Sequence, residues 1–309
     1  IQDHKKSTYG ILNLNDDAFQ LGFAPESVAN LLNPITVEMY DYKNIIYAHT
    51  YPNFGISDVT QKLWAYIHQQ SGSIKSSFNN PCLVRGYTAN FTNPYNKKTY
   101  LMIGSGNFDT CRTFAKHVFN LGQVCPYPHC AINGTYQPPV YGQFYAYGYF
   151  AAVATHTGIP QSAKVSQYIA GGQTYCDTNL TTLQLRFPEE TGEELATYCF
   201  ISAYSTSVLV DAVGFSTKTA DILFTLDVNS IELGLSLGAM MSKFNDIMIY
   251  DQPVLELTTS ALILTILLSI CFFVGIVISL LLRMSYQKYL RSQGMQQQQK
   301  PIIDVNWDF

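Results

Sequence analysis

Residues 10–23 read Gly10-Ile-Leu-Asn-Leu-Asn-Asp-Asp-Ala-Phe-Gln-Leu-Gly-Phe23. Leu12 and Leu14, and then Phe19, Leu21 and Phe23, recur at every second residue. That is the period of a strand with one face in a core. Asn15-Asp16-Asp17 separates the two runs with short polar side chains that hydrogen-bond their own backbone and so favour turns. The stretch predicts a strand, a turn and a second strand. Downstream, Asn44–His49 reads as another strand. Val59–Gln70 has Leu63, Trp64 and Ile67 at helical spacing, with a cap expected at Ser57 or Asp58. Residues 71–107 are rich in turn formers, and Phe108–Leu121 reads as a helix. Residues 122–142 read as loop, Gln143–His156 as an aromatic helix and 192–213 as a helix around Cys199. Ile222–Val228 reads as a strand, and Ile231–Phe244 closes the unit with small and apolar residues. Helices alternating with strands predict a layered α/β or α+β domain.

The 309 residues allow two units. Apolar residues make up 47% and charged residues 13% of the chain, against about 25% charged in an average globular protein. Disorder as the main state is excluded, because it needs the opposite balance. The net charge of -4 argues against a nucleic-acid partner, which draws a basic face.

Residues 257–282 carry no charged side chain. A hydrocarbon core of about 30 Å takes about 20 apolar residues as helix, so this run is expected to cross a bilayer. Arg283, Lys288, Arg291 and Lys300 follow it, whereas Asp246, Asp251 and Glu256 precede it. Basic residues favour the cytoplasmic side. The expected layout is residues 1–256 extracellular or lumenal, 257–282 spanning, and 283–309 a cytoplasmic tail. Three acceptor sequons for N-linked glycans precede the span, at Asn90, Asn133 and Asn179,. Six of the seven cysteines (Cys82, Cys111, Cys125, Cys130, Cys176, Cys199) also precede it, an even set that suggests disulfides in an exported region. Spacing alone leaves their pairing open. Cys271 lies within the span and is expected to be free. Cys125-Pro-Tyr-Pro-His-Cys130 lacks the fourth ligand of a structural zinc site, so a disulfide and no metal is expected there.

Several strings, in order, resemble the ecto-apyrase family, the nucleoside triphosphate diphosphohydrolases. They are the opening hairpin, Asn80-Pro-Cys-Leu-Val-Arg-Gly-Tyr87, Gly104-Ser-Gly-Asn-Phe-Asp-Thr-Cys111, Cys125-Pro-Tyr with Cys130, Asn133-Gly-Thr-Tyr-Gln-Pro-Pro139, Gly142-Gln-Phe-Tyr-Ala-Tyr147, Tyr198-Cys199, Gly214-Phe215 and Leu233–Met240. The resemblance implies the disulfides Cys82–Cys111, Cys125–Cys130 and Cys176–Cys199. It implies an α/β fold: one lobe of an actin-like, ribonuclease-H-type apyrase, followed by a single transmembrane helix. In that family a nucleotide lies between two lobes, each with a phosphate-binding loop. A divalent cation, Ca²⁺ or Mg²⁺, holds the phosphates, and a Glu activates water. The likeness, from about residue 9 to 245, covers the second lobe. The motifs of the first, with the Glu, would precede residue 1. A chain supplying or covering that lobe is therefore an expected partner, in a hetero- or homo-oligomer.

The resemblance also marks departures. The family's Asp falls on Asn13, its Gly-Gly pair on Asn15-Asp16 followed by Asp17, and its Ser on Ala18. Gln20 matches. Like charges about 4 Å apart repel by roughly 1 to 4 kcal/mol, so Asp16 and Asp17 oppose a phosphate. Tyr198 matches one aromatic that clamps the base, while the other falls near Ala152, which has no ring. The Asn-Asp-Asp stretch is read as a plain turn rather than a cation loop, and the tyrosines of 141–149 as core. The expected function is a catalytically degenerate, membrane-anchored glycoprotein subunit that binds no cofactor alone and acts as a structural or binding partner. The alternative is an active ecto-nucleotidase, as the C-terminal half of a split or processed enzyme. A lectin-like surface antigen has no specific residue in its favour.

Overall fold

The runs flanking Asn15-Asp16-Asp17 form a hairpin in the computed structural model, which describes residues 8–29, 31–39, 42–72, 76–218, 221–228, 230–232 and 259–292. β1 (Gly10–Leu14) pairs antiparallel with β2 (Ala18–Phe23), Asn13 opposite Gln20 and Leu14 opposite Phe19. Leu12, Leu14, Phe19, Leu21 and Phe23 are buried, as their alternation requires. The antiparallel run continues through β4 (Tyr42–Pro52) on β2 and β3 (Ile35–Met39) on β4. On the other side of β1, β8 (Phe144–Gly148) and β10 (Asp221–Phe224) run parallel, and β9 (Ser162–Lys164) pairs antiparallel with β10. The sheet order is β3-β4-β2-β1-β8-β10-β9. An antiparallel hairpin run on one side of the first strand and parallel strands on the other fit the expected ribonuclease-H-type lobe.

The helices are α1 (Ile56–Gln70), α2 (Phe108–Lys116), α3 (Tyr149–Thr157), α4 (Val165–Asp177), α5 (Leu180–Arg186) and α6 (Gly192–Ser207). α6 is the hub. A capping box starts it, the Thr191 hydroxyl accepting from the Glu194 amide while Glu194 accepts from Thr191,. Beyond that turn Leu195, Phe200, Tyr204 and their neighbours are buried. Its serines are buried too. Ser202, Ser205 and Ser207 donate to the carbonyls of Cys199, Ile201 and Ala203, which satisfies hydroxyls that burial would otherwise penalise. Trp64 of α1 meets Phe200 edge-on at 5.2 Å, and Phe119 stacks on Tyr204 at 5.5 Å.

Four expectations need correction. α1 begins at Ile56 with Gly55 as its cap, not at Ser57 or Asp58; Gly55 passes so close to the hairpin turn that an added methyl would lie 2.2 Å from the Asp16 carbonyl oxygen. The turn-rich stretch 71–107 contains a small sheet, β5 (Ser77–Asn80), β6 (Thr88–Thr92) and β7 (Thr99–Gly104), ordered β5-β7-β6. Its strands are short and its faces mixed, so turn residues dominate the composition. The aromatic helix expected at Gln143–His156 is half strand. Phe144 and Ala146 point into the core and Tyr145 and Tyr147 are half-buried, a period of two hidden by the density of rings. The strand expected at Ile222–Val228 is two, β10 and β11 (Asp227–Val228), the latter paired with β12 (Ile231–Glu232). Residues 233–244, also read from the sequence, lie outside the described residues.

Residues 246–309 form a second unit, in which α7 (Thr259–Ser292) is described. At 1.5 Å per residue its 34 residues extend about 51 Å, enough to cross a bilayer. The helix runs on past Leu282 through Arg283 and Arg291, so the first part of the expected tail is helical. Its side chains from 263 to 289 are exposed, and Cys271 is free.

All three disulfides join as the resemblance implies, Cys82–Cys111, Cys125–Cys130 and Cys176–Cys199. Cys82 and Cys111 close 29 residues and are wholly buried. Replacing both with Ala is expected to lower the unfolding free energy by roughly 3 kcal/mol, measured by urea titration of the full chain in detergent.

Candidate functional site

The turn joining β1 to β2 is closed by its own first residue. The Asn15 carboxamide oxygen accepts from the amides of Asp17 at 3.0 Å and Ala18 at 2.7 Å. These are the donors that a bare turn would offer to an anion. The turn carbonyls are used as well. Asn15, Asp16 and Asp17 accept from the amides of Ile56, Ser57 and Asn53 at 2.9, 3.0 and 3.1 Å, docking the turn on the start of α1. The Asp16 carboxylate accepts from the Tyr149 hydroxyl at 2.8 Å and the Ser57 hydroxyl at 3.2 Å.

Behind the turn, Asn13 donates through Nδ2 to Gln20 Oε1 at 2.9 Å across the hairpin. Gly148, with φ at +65°, passes this pair, and a methyl there would lie 2.4 Å from the Leu14 carbonyl oxygen and 2.8 Å from Asn13 Oδ1. A divalent cation attracts carboxylate and carbonyl oxygens. Asn13 is an amide with its NH₂ directed at Gln20, and the carboxylate of Asp16 is bound by two hydroxyls. Among the described residues no three His, Cys, Asp or Glu side chains converge on a point. At Asn13, where the family resemblance puts an Asp, an amide thus stands in place of the carboxylate that the implied cation would use,.

Tyr149 opens α3 and bonds Asp16. Burial, its hydrogen bond to Asp16 and that negative charge push its phenol up to about 12, and the nearby Tyr198 adds to the effect. Tyr198, on α6, is half-buried; burial and then Glu190 and Glu194 push it up to about 12. Its ring stacks on His156 at 3.7 Å between centroids and 19° between planes. His156 lies one helical turn after Ala152 and bonds its carbonyl through Nδ1 at 2.7 Å, while Nε2 meets Glu190 at 2.6 Å. So Tyr198 does have a ring partner, supplied by His156 rather than at Ala152. His156 and Glu190 escaped the sequence reading, and the tyrosines of 141–149, read there as core, are not: Tyr141 is exposed and Tyr145, Tyr147 and Tyr149 are half-buried. Tyr149 was masked by its tyrosine-rich surroundings, and the His156–Glu190 pair spans 34 positions without a local signal.

Other motifs find internal uses. The amides of Gly104, Ser105, Gly106 and Asn107 donate to the carbonyls of Tyr87, Asn80, Leu83 and Pro81, so the backbone N–H groups of this glycine-rich loop are not left for phosphate. Asn90, Asn133 and Asn179 are all exposed. Asn179 caps α5 through its carboxamide oxygen, from the Thr182 amide at 2.9 Å, an arrangement that leaves its nitrogen outward.

Gly148→Ala should lower stability by roughly 1–3 kcal/mol, because the left-handed backbone and the Leu14 carbonyl both oppose a methyl. Tyr149→Phe should cost about 1 kcal/mol through the bond to Asp16. Tyr149 is protonated in the folded chain up to about 12, against 10.0 for a free phenol. The stability it adds is therefore complete below pH 10 and lost as the pH rises towards 12. Unfolding followed across that window should show a shallower alkaline loss in Tyr149→Phe.

A model of the GDA1/CD39 (nucleoside phosphatase) family matches residues 1–257. Ectonucleoside triphosphate diphosphohydrolase 8 of Gallus gallus is 27% identical over 264 residues, covering 79% of this chain and 52% of that protein. Probable apyrase 6 of Arabidopsis thaliana is 25% identical over 252 residues, covering 76% and 45%. The chain thus spans about half the length of the curated relatives it matches. A crystal structure of nucleoside triphosphate hydrolases from Neospora caninum aligns with a TM-score of 0.56 at 13% identity, covering 77% of this chain and 57% of that one; at that identity the likeness concerns the fold. The matched region takes in the hairpin, α6 and all three disulfides, and on it the chain belongs to the GDA1/CD39 (nucleoside phosphatase) family.

Proposed function

We propose that this chain is a membrane-anchored, apyrase-like glycoprotein subunit whose phosphate turn no longer receives a nucleotide. It acts as a structural or binding partner of a chain that supplies or covers the other lobe. The observation that carries the reading is the Asn15 carboxamide bound to the amides of Asp17 and Ala18. A phosphate would have to displace that oxygen and then sit beside the carboxylates of Asp16 and Asp17. The second support is the stack of His156 on Tyr198, which occupies one face of the candidate base-binding ring. In this reading residues 1–256 lie outside the cytoplasm with glycans on the sequons, α7 crosses the bilayer, and the basic segment after Leu282 faces the cytoplasm.

The test is phosphate release from ATP and ADP with Ca²⁺ or Mg²⁺ by the purified full chain, alone and in any complex recovered with it. No turnover attributable to this chain is expected, and millimolar nucleotide should leave its melting temperature unchanged. Turnover that is abolished by Gln20→Ala or Tyr198→Ala would sink the reading and favour an active split nucleotidase. A chain with Asn13→Asp, Asn15→Gly and Asp16→Gly combined frees the amides and takes one like charge off the turn itself, the new carboxylate at position 13 lying behind it on β1. It should gain roughly tenfold or more in nucleotide affinity, from a repulsion of about 1–4 kcal/mol removed, measured by calorimetry.

A further inference from the structure

A cavity of about 860 Å³ opens between α1, the end of α2 and the 93–96 turn that joins β6 to β7. It lies apart from the hairpin turn's carboxylates, and its volume falls in the range of about 300–1,000 Å³ typical of small-molecule sites. We infer that it is the seat of the N-acetylglucosamine core of a glycan carried on Asn133. This rests on the proposed orientation, with residues 1–256 exported.

Three observations converge. First, Asn133 is itself on the wall of the cavity and is exposed. It heads the sequon Asn133-Gly134-Thr135, so a sugar attached to its nitrogen starts at the rim. Second, the wall suits a neutral sugar. The rings of Tyr66, Tyr95 and His117 offer faces for the apolar side of a pyranose, and the amides of Asn53, Gln69 and Asn96 can bond hydroxyl and acetamido groups. Among the described residues no carboxylate lines it, and the one ammonium group on its wall, that of Lys62, donates to the Asn53 carbonyl. Third, Tyr95 is 78% exposed, yet its turn is fixed, because the amides of Tyr95 and Asn96 donate to Asn93 Oδ1, and the side chain stands at the cavity wall.

Sugars bind proteins weakly as free ligands. A tethered one is presented at an effective concentration in the millimolar range, so a shallow polar site fills when the ligand is attached at its edge. Asn90 and Asn179 do not line this cavity and serve as internal controls.

The experiment uses the full chain made in glycosylating cells and purified in detergent. Glycopeptide mass spectrometry gives occupancy at each sequon, and peptide-N-glycosidase is then applied to the folded protein. The Asn133 glycan is expected to be released about tenfold more slowly than those on Asn90 and Asn179, the protection expected if most of the core is seated. Denaturation should equalise the three. Tyr95→Ala alters an exposed side chain and should bring release at Asn133 to within about twofold of the others. The inference is overturned if Asn133 is bare while Asn90 or Asn179 carries sugar, if its glycan leaves as fast as theirs, or if Tyr95→Ala makes no difference. Bare asparagines at all three sequons would overturn the exported orientation along with it.

Discussion

The interaction on which the site depends is short: one carboxamide oxygen and two amides within four residues. Asn15 closes the hairpin by giving Asp17 and Ala18 the acceptor that their N–H groups need. An unpaired N–H at a turn is satisfied by a side chain, by water or by a ligand, and here the side chain is permanently present. Everything stacked on the turn reinforces it. The amides at the start of α1 bond its carbonyls, and Tyr149 and Ser57 hold Asp16. What the family resemblance makes an anion site is in this chain the start of a tertiary joint between the hairpin, α1 and α3.

The same logic recurs 198 residues into the chain. Tyr198 presents a half-buried ring, and His156 stacks on it from within α3. Glu190 and the Ala152 carbonyl hold the imidazole by both nitrogens. Tyr149, which feels Tyr198 electrostatically, bonds Asp16. Each of the two regions a nucleotide would touch is thus already engaged by the chain's own side chains.

How much of this was legible in the sequence follows from the range of each signal. The hairpin was, because Leu12, Leu14, Phe19, Leu21 and Phe23 alternate within fourteen residues and the turn is marked by three polar ones. The long apolar helix was, because 26 residues without charge are a strong signal for one. The helical run Gly192–Val213, α6 with its continuation, is also long and apolar enough to span a membrane, but its capping box and back-bonded serines belong to a buried core helix. The substitutions in the turn were legible as departures from the family pattern. That Asn15 caps the turn it occupies was not, since turn preference does not say which group accepts. The small β5-β7-β6 sheet and the strand character of 144–148 were missed, because composition there is dominated by prolines, asparagines or rings. The His156–Tyr198 stack and the Tyr149–Asp16 bond depend on how β8 leads through Gly148 into α3, which only the packed sheet determines.

A turn that takes no anion, as proposed for this chain, need not weaken the fold. A turn made of two glycines leaves the unfolded chain more freedom to lose, at roughly 0.5–1 kcal/mol per residue relative to a side-chain-bearing one. It also waits for a ligand to satisfy its amides. Replacing the pair with Asn15-Asp16 restricts the unfolded chain and supplies the acceptor locally, so the hairpin is complete without phosphate. Stability and ligand binding here compete for the same two N–H groups. A lobe whose turn is internally satisfied can serve as a rigid scaffold beside another chain, since its hairpin, its disulfides and α6 hold their geometry whether or not a nucleotide is near.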